Sequence, residues 1–132
     1  MSKLHLHKIP LQNGKTQRVG IILCSGTDEV QKKIASMLGY LPTSCTEVFM
    51  MAGAGQSPPV IILREESSNG RIAHEVFHAT VAICRHLGID CNNYDLVRPF
   101  GNDFGYIPAE VAADLCEQLV NLIHELKALA TT

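Results

Sequence analysis

VIILREESSNGRIAHEVFHATVAICRHLG, residues 60–88, decides how this chain is read. It opens on an apolar, β-branched run, the strongest strand signal in the sequence. Glu65 to Asn69 turn the chain, and a helix is expected over residues 70–87, stopped by Gly88. At about 100° per residue, Ile72, Ala73, Val76, Phe77, Thr80, Ile83, Cys84 and Leu87 fill one broad apolar arc. His74, Glu75 and His78 fall together outside that arc, with the small residues Ala79 and Ala82 beside them.

The string His-Glu-x-x-His places two imidazoles one turn apart, where both can reach one ion. Glu75 is rotated aside; it makes a poor third ligand but a good base for a water held at that ion. Charged groups on an apolar helix need a partner, and Zn2+ is the expected one. A catalytic zinc also needs a third protein ligand and an open fourth position. The longer pattern HExxHxxGxxH fails, because Val81 stands in the glycine position and Cys84 in that of the last histidine. The remaining common choice is a carboxylate on a later helix. That helix is expected from Pro108 to about Leu126, with Val111, Leu115, Leu119, Leu122 and Leu126 as its core stripe. Glu110 and Asp114 lie one turn apart on another face. Glu110 is the expected third ligand, and Asp114 the acceptor for the far nitrogen of a ligand histidine. Asp114 and then Glu117 are the alternative ligands; all three carboxylates can equally form a solvated acidic face.

The rest of the chain frames these two helices. Residues 18–24 read as a strand, followed by a helix capped at Thr27 and ended by Gly39. Residues 45–51 read as a second strand. The glycines of residues 52–58 form neither GxxxxGK[ST] nor GxGxxG, so a phosphate loop is excluded. Residues 1–17, with His5 and His7, are assigned to a flexible N-terminal tail, and residues 18–132 to one domain. The order of elements gives an α+β fold: a short mixed sheet of about three strands packed on the HExxH helix, an N-terminal helix and a C-terminal helix. The strand at residues 60–63 is expected at the sheet edge beside a cleft, where an extended peptide can pair with its backbone.

Composition narrows the function. A chain of 132 residues, 46% hydrophobic and 18% charged, suits one folded domain. A net charge of −2 supplies no basic field for nucleic acid or an anionic membrane, and the absence of Trp weakens a base-stacking reading. No apolar run reaches the roughly 18 residues needed to span a bilayer, and no signal peptide is evident, so a cytoplasmic location is expected. Cys24, Cys45, Cys84, Cys91 and Cys116 are odd in number and form no CxxC, which suits reduced thiols.

With these residues in hand, the chain resembles the zincin metallopeptidases of the gluzincin type, which pair HExxH with a glutamate on a later helix; PAEVAAD fits their ExxxD pattern. More closely, VIILREESSNGRIAHEVFHATVAICRHLGI followed by PAEVAADLCEQLV is similar to small zincin-like proteins encoded by bacteriophages and prophages. The resemblance covers about residues 19–126 and departs from the phage group at Asp114, where an aromatic is expected. It implies a zinc-dependent peptidase with a peptide or protein substrate, in the host cytoplasm if phage-encoded. His74, His78 and Glu110 would be the ligands and Glu75 the general base. Tyr106 is a candidate oxyanion donor, alongside Tyr94, Arg85 and His124. The alternative is an accessory protein that keeps the fold for partner binding or assembly.

Overall fold

Two stretches, Val-Gly-Ile-Ile-Leu-Cys at residues 19–24 and Val-Ile-Ile-Leu at residues 60–63, are apolar without alternation. Such runs belong to strands covered on both faces. The computed structural model, which describes residues 3–11, 14–39, 47–50, 58–87 and 108–130, places them side by side at the centre of a sheet. The elements in chain order are β1 (Leu4–Pro10), β2 (Thr16–Cys24), α1 (Thr27–Leu38), β3 (Val48–Met50), β4 (Val60–Arg64), α2 (Asn69–His86) and α3 (Pro108–Ala130). The sheet order is β1-β2-β4-β3. β2 and β4 are parallel, with Ile22 opposite Ile62, while β1 on β2 and β3 on β4 are antiparallel. The chain is thus a small α+β domain with a four-stranded mixed sheet and three helices among the described residues.

The pleat divides the core in two. Val19, Ile21, Leu23, Ile61 and Leu63 turn toward α2 and α3, where they meet Ile72, Val76, Ile83, Leu115, Leu119 and Ile123. Ile22, Cys24, Val60 and Ile62 turn the other way and are covered by Val30 and Ile34 of α1. Gly39, at φ 80°, ends α1 as expected, its N–H donating to the Ala35 carbonyl. The start of α1 differs from expectation. Gly26 occupies the cap position, and Ser25 N and Oγ both donate to Glu29 Oε2, at 3.1 and 2.6 Å. On α3, Ile123 joins the fully buried stripe, with Leu122 half-buried beside it.

Two sequence expectations are corrected here. The first concerns the N-terminal tail. Residues 4–10 form β1, because Leu4 to Pro10 pair residue for residue with Ile22 to Thr16. Gly20 permits the approach: a Cβ there would stand 2.9 Å from Leu4 Cδ1 and 3.2 Å from Val60 Cγ2. The hairpin turns at Gly14, φ 84°. The second concerns the sheet edge. β4 is hydrogen-bonded on both sides, so the strand at the edge beside α2 is β3. No described helix is long and apolar enough to cross a membrane.

Candidate active site

The site is built on α2, whose entry is braced from three directions. Ser68 caps the helix by accepting from Arg71 N at 3.3 Å. Just ahead of it, Ser67 Oγ donates to Glu47 Oε1 at 2.9 Å. The same oxygen accepts from Arg64 Nε at 3.0 Å and Nη2 at 2.7 Å. The hydrogen bond to Glu47 raises the Arg64 guanidinium above its ordinary value, so this buried carboxylate has a permanent cation. β3, the end of β4 and the start of α2 are therefore tied at one point. Lys127 Nζ of α3 donates to the Ser67 carbonyl at 2.9 Å and joins the fourth element to it. The sequence reading missed this brace, although a lone glutamate beside the Val-Phe-Met run of β3 was its signal.

The structure brings His74 and His78 together. Their Nε2 atoms are 3.0 Å apart and their rings meet edge to face, with centroids 4.6 Å apart. Two zinc–nitrogen bonds of about 2.05 Å at a tetrahedral angle set their nitrogens about 3.3 Å apart. The observed separation is within a small ring rotation of that value. The His74 side chain is 55% exposed, so an ion can reach the pair from solvent.

Glu75 behaves differently from the wheel expectation. It is 6% exposed and belongs to the buried face of α2, with Ile72, Val76, Ala79, Thr80, Ile83 and Cys84. Ala73 and Phe77, expected in the apolar arc, are exposed instead, Phe77 at 64%. The buried arc is rotated because β3 and β4 lie under the Glu75 flank of the helix. Glu75 Oε2 is 3.8 Å from His74 Nε2, and Glu75 is among the residues lining a concavity of about 450 Å³ between α2 and β3. His78, Phe77, Val81 and Arg85 share that lining on the helix side, Val48 and Phe49 on the strand side.

Glu110 is not brought to the histidines. Among the described residues no three His, Cys, Asp or Glu side chains are grouped to hold a metal ion. Helix register gives the reason. Thr80 Oγ1 meets Cys116 Sγ at 3.2 Å, and Lys127 meets Ser67, so α2 and α3 run antiparallel. Glu110 lies nearly two turns before Cys116, about 9 Å along α3. That puts it level with the C-terminal end of α2, on the far side of Thr80 from His78. Orientation adds a second obstacle, because Thr80, which faces α3, is about 160° around α2 from His78. Glu110 and Glu117 are exposed. Asp114 Oδ2 accepts at 2.9 Å from Gln118 Nε2, which also donates to the Pro10 carbonyl of β1 at 3.0 Å. The Asp114 carboxylate thus supports the β1 end of the sheet, and among the described residues no histidine donates to it. Tyr106, Tyr94, Cys45 and Cys91 lie outside the described residues. His124 is exposed on α3, Cys24 and Cys84 are buried, and Cys116 is half-buried.

His74 and His78 can thus offer a metal ion two nitrogens, with Glu75 alongside, but among the described residues no third ligand joins them, short of the three that a catalytic zinc takes. No family model, curated protein or solved structure matches the chain.

Proposed function

We propose that this chain is a zincin-like, zinc-dependent metallopeptidase, working in the cytoplasm on a peptide or protein substrate. The observation that carries the reading is the His74–His78 pair, its Nε2 atoms 3.0 Å apart, with the Glu75 carboxylate 3.8 Å from His74 and Glu75 and His78 both lining a groove. A zinc ion bound there, completed by a third ligand not found among the described residues, would supply Lewis acidity for the scissile carbonyl and for water. His74 and His78 would hold the ion through their Nε2 atoms. Glu75 accepts the proton of the attacking water and returns it to the leaving amide nitrogen. β3 has β4 as its neighbour on one side and, among the described residues, no strand on the other. An extended peptide can pair with that free side through backbone hydrogen bonds, beside the histidines.

Zinc-dependent hydrolysis is tested by chelation. Cleavage of a mixed peptide substrate is expected to stop when the metal is stripped and to return with zinc but not with magnesium, whose oxygen preference suits neither imidazole. Cleavage that survives chelation removes zinc from the reading.

One observation favours a second reading. α3 packs on the flank of α2 away from the histidines, so it offers them no third ligand. A domain that keeps the fold for partner binding or assembly has no use for that ligand. Under this reading the purified protein forms a stable complex and cleaves nothing.

A further inference from the structure

We propose that Arg85 selects peptides carrying an acidic side chain about three residues from the one seated beside His78. The inference rests on the peptide reading of the groove and names its substrate class. His78 and Arg85 are two helical turns apart, so they lie on one stripe of α2, about 10 Å from each other along the axis. Both line the concavity beside β3. An extended peptide rises about 3.3 Å per residue, so this distance spans three of its residues.

The groove between them is apolar: Phe77, Val81 and Ala82 come from the helix, Val48 and Phe49 from the strand. Arg85 is the cation in its lining. Arg64 is not a competitor, because its guanidinium is held by Glu47 and Glu66. Among the described residues no carboxylate pairs with Arg85. A basic residue in the last turn of α2 suits the helix dipole, and His86 beside it serves that role equally. The dipole does not account for a guanidinium on the groove stripe that has no acidic partner among the described residues. Guanidinium binds carboxylate through two parallel hydrogen bonds, and an apolar wall strengthens them by excluding water. A peptide with apolar residues against Phe49 and Phe77 and a glutamate or aspartate at Arg85 satisfies the whole surface.

The probe is an apolar eight-residue peptide with a central Phe, acetylated and amidated so that its ends carry no charge. A single Glu or Gln is moved through the positions flanking Phe. Binding to the full chain is followed by fluorescence anisotropy and cleavage by mass spectrometry. The Glu peptide with its acid about three residues from the centre is expected to bind about five- to twentyfold more tightly than its Gln twin. Arg85→Gln should abolish that difference, and Arg85→Glu should transfer the preference to a Lys peptide. Equal binding of Glu and Gln peptides at every position, or no binding at all, overturns the proposal. The two layers separate cleanly. Cleavage without acid preference sinks the role of Arg85 and leaves the peptidase standing. Acid preference without cleavage upholds Arg85 and sinks the peptidase.

Discussion

Glu75→Gln is expected to lower peptide hydrolysis by about 10²- to 10⁴-fold while zinc binding is retained. The substitution preserves the volume of a residue that is 6% exposed, so α2 should keep its packing on the sheet. It leaves the Nε2 atoms of His74 and His78 untouched, and those are the atoms assigned to the ion. What it removes is the ability to take a proton. Stability should change little, since the replacement keeps the shape of the side chain. Rates under saturating zinc, together with metal analysis of both proteins, separate the possibilities. A variant as fast as the parent rules out Glu75 as the base. A variant that loses zinc along with activity makes Glu75 a ligand.

Ile61→Ala carries the largest expected effect on stability, a loss of about 2–5 kcal/mol. Ile61 is fully buried in β4, paired with Ile21 on one side and Phe49 on the other, and faces the α2–α3 layer. Truncation leaves a cavity where three elements meet, and the sheet pairing on both sides limits collapse into it. Domain stabilities of about 5–15 kcal/mol make such a loss a large part of the total. Leu6→Ala is the control, because Leu6 lies on the edge strand β1 and is 54% exposed; its change should stay within about 0.5 kcal/mol. Urea titrations of the two variants compare them directly. A loss below 1 kcal/mol at Ile61 would contradict the packing described for the site's supporting layer.

The central strands and the three described helices were legible because their signals are local. Val60 to Leu63 is short, branched and apolar, and Gly39 marks a helix end by its freedom at positive φ. β1 was hidden because little of it is buried: Leu4 and Leu6 are exposed, His5 and His7 half-buried, and Ile9 is its one core residue, so backbone pairing to β2 does much of the holding. An unbroken apolar run implies cover on both faces, which suits a central strand better than an edge. His74 and His78 were legible because one helical turn brings them together whatever the rest of the chain does. Glu110 was not, because its place depends on the register between two helices. Thr80 with Cys116 and Ser67 with Lys127 set that register, and those pairs are 36 and 60 residues apart in sequence. No periodicity within either helix encodes them. The Glu47 brace had the same long-range character, joining β3 to Arg64 and Ser67 across the chain.

The claim on which the functional account depends is that His74 and His78 together receive one metal ion. Long-range proton–nitrogen NMR of the histidine rings during a zinc titration reads it residue by residue. The account predicts that the signals of His74 and His78 move together and saturate at about one zinc per chain, while those of His86 and His124 stay in place. If zinc instead collects at His5 and His7 on β1, or leaves the α2 pair unmoved, the metal site described here does not exist.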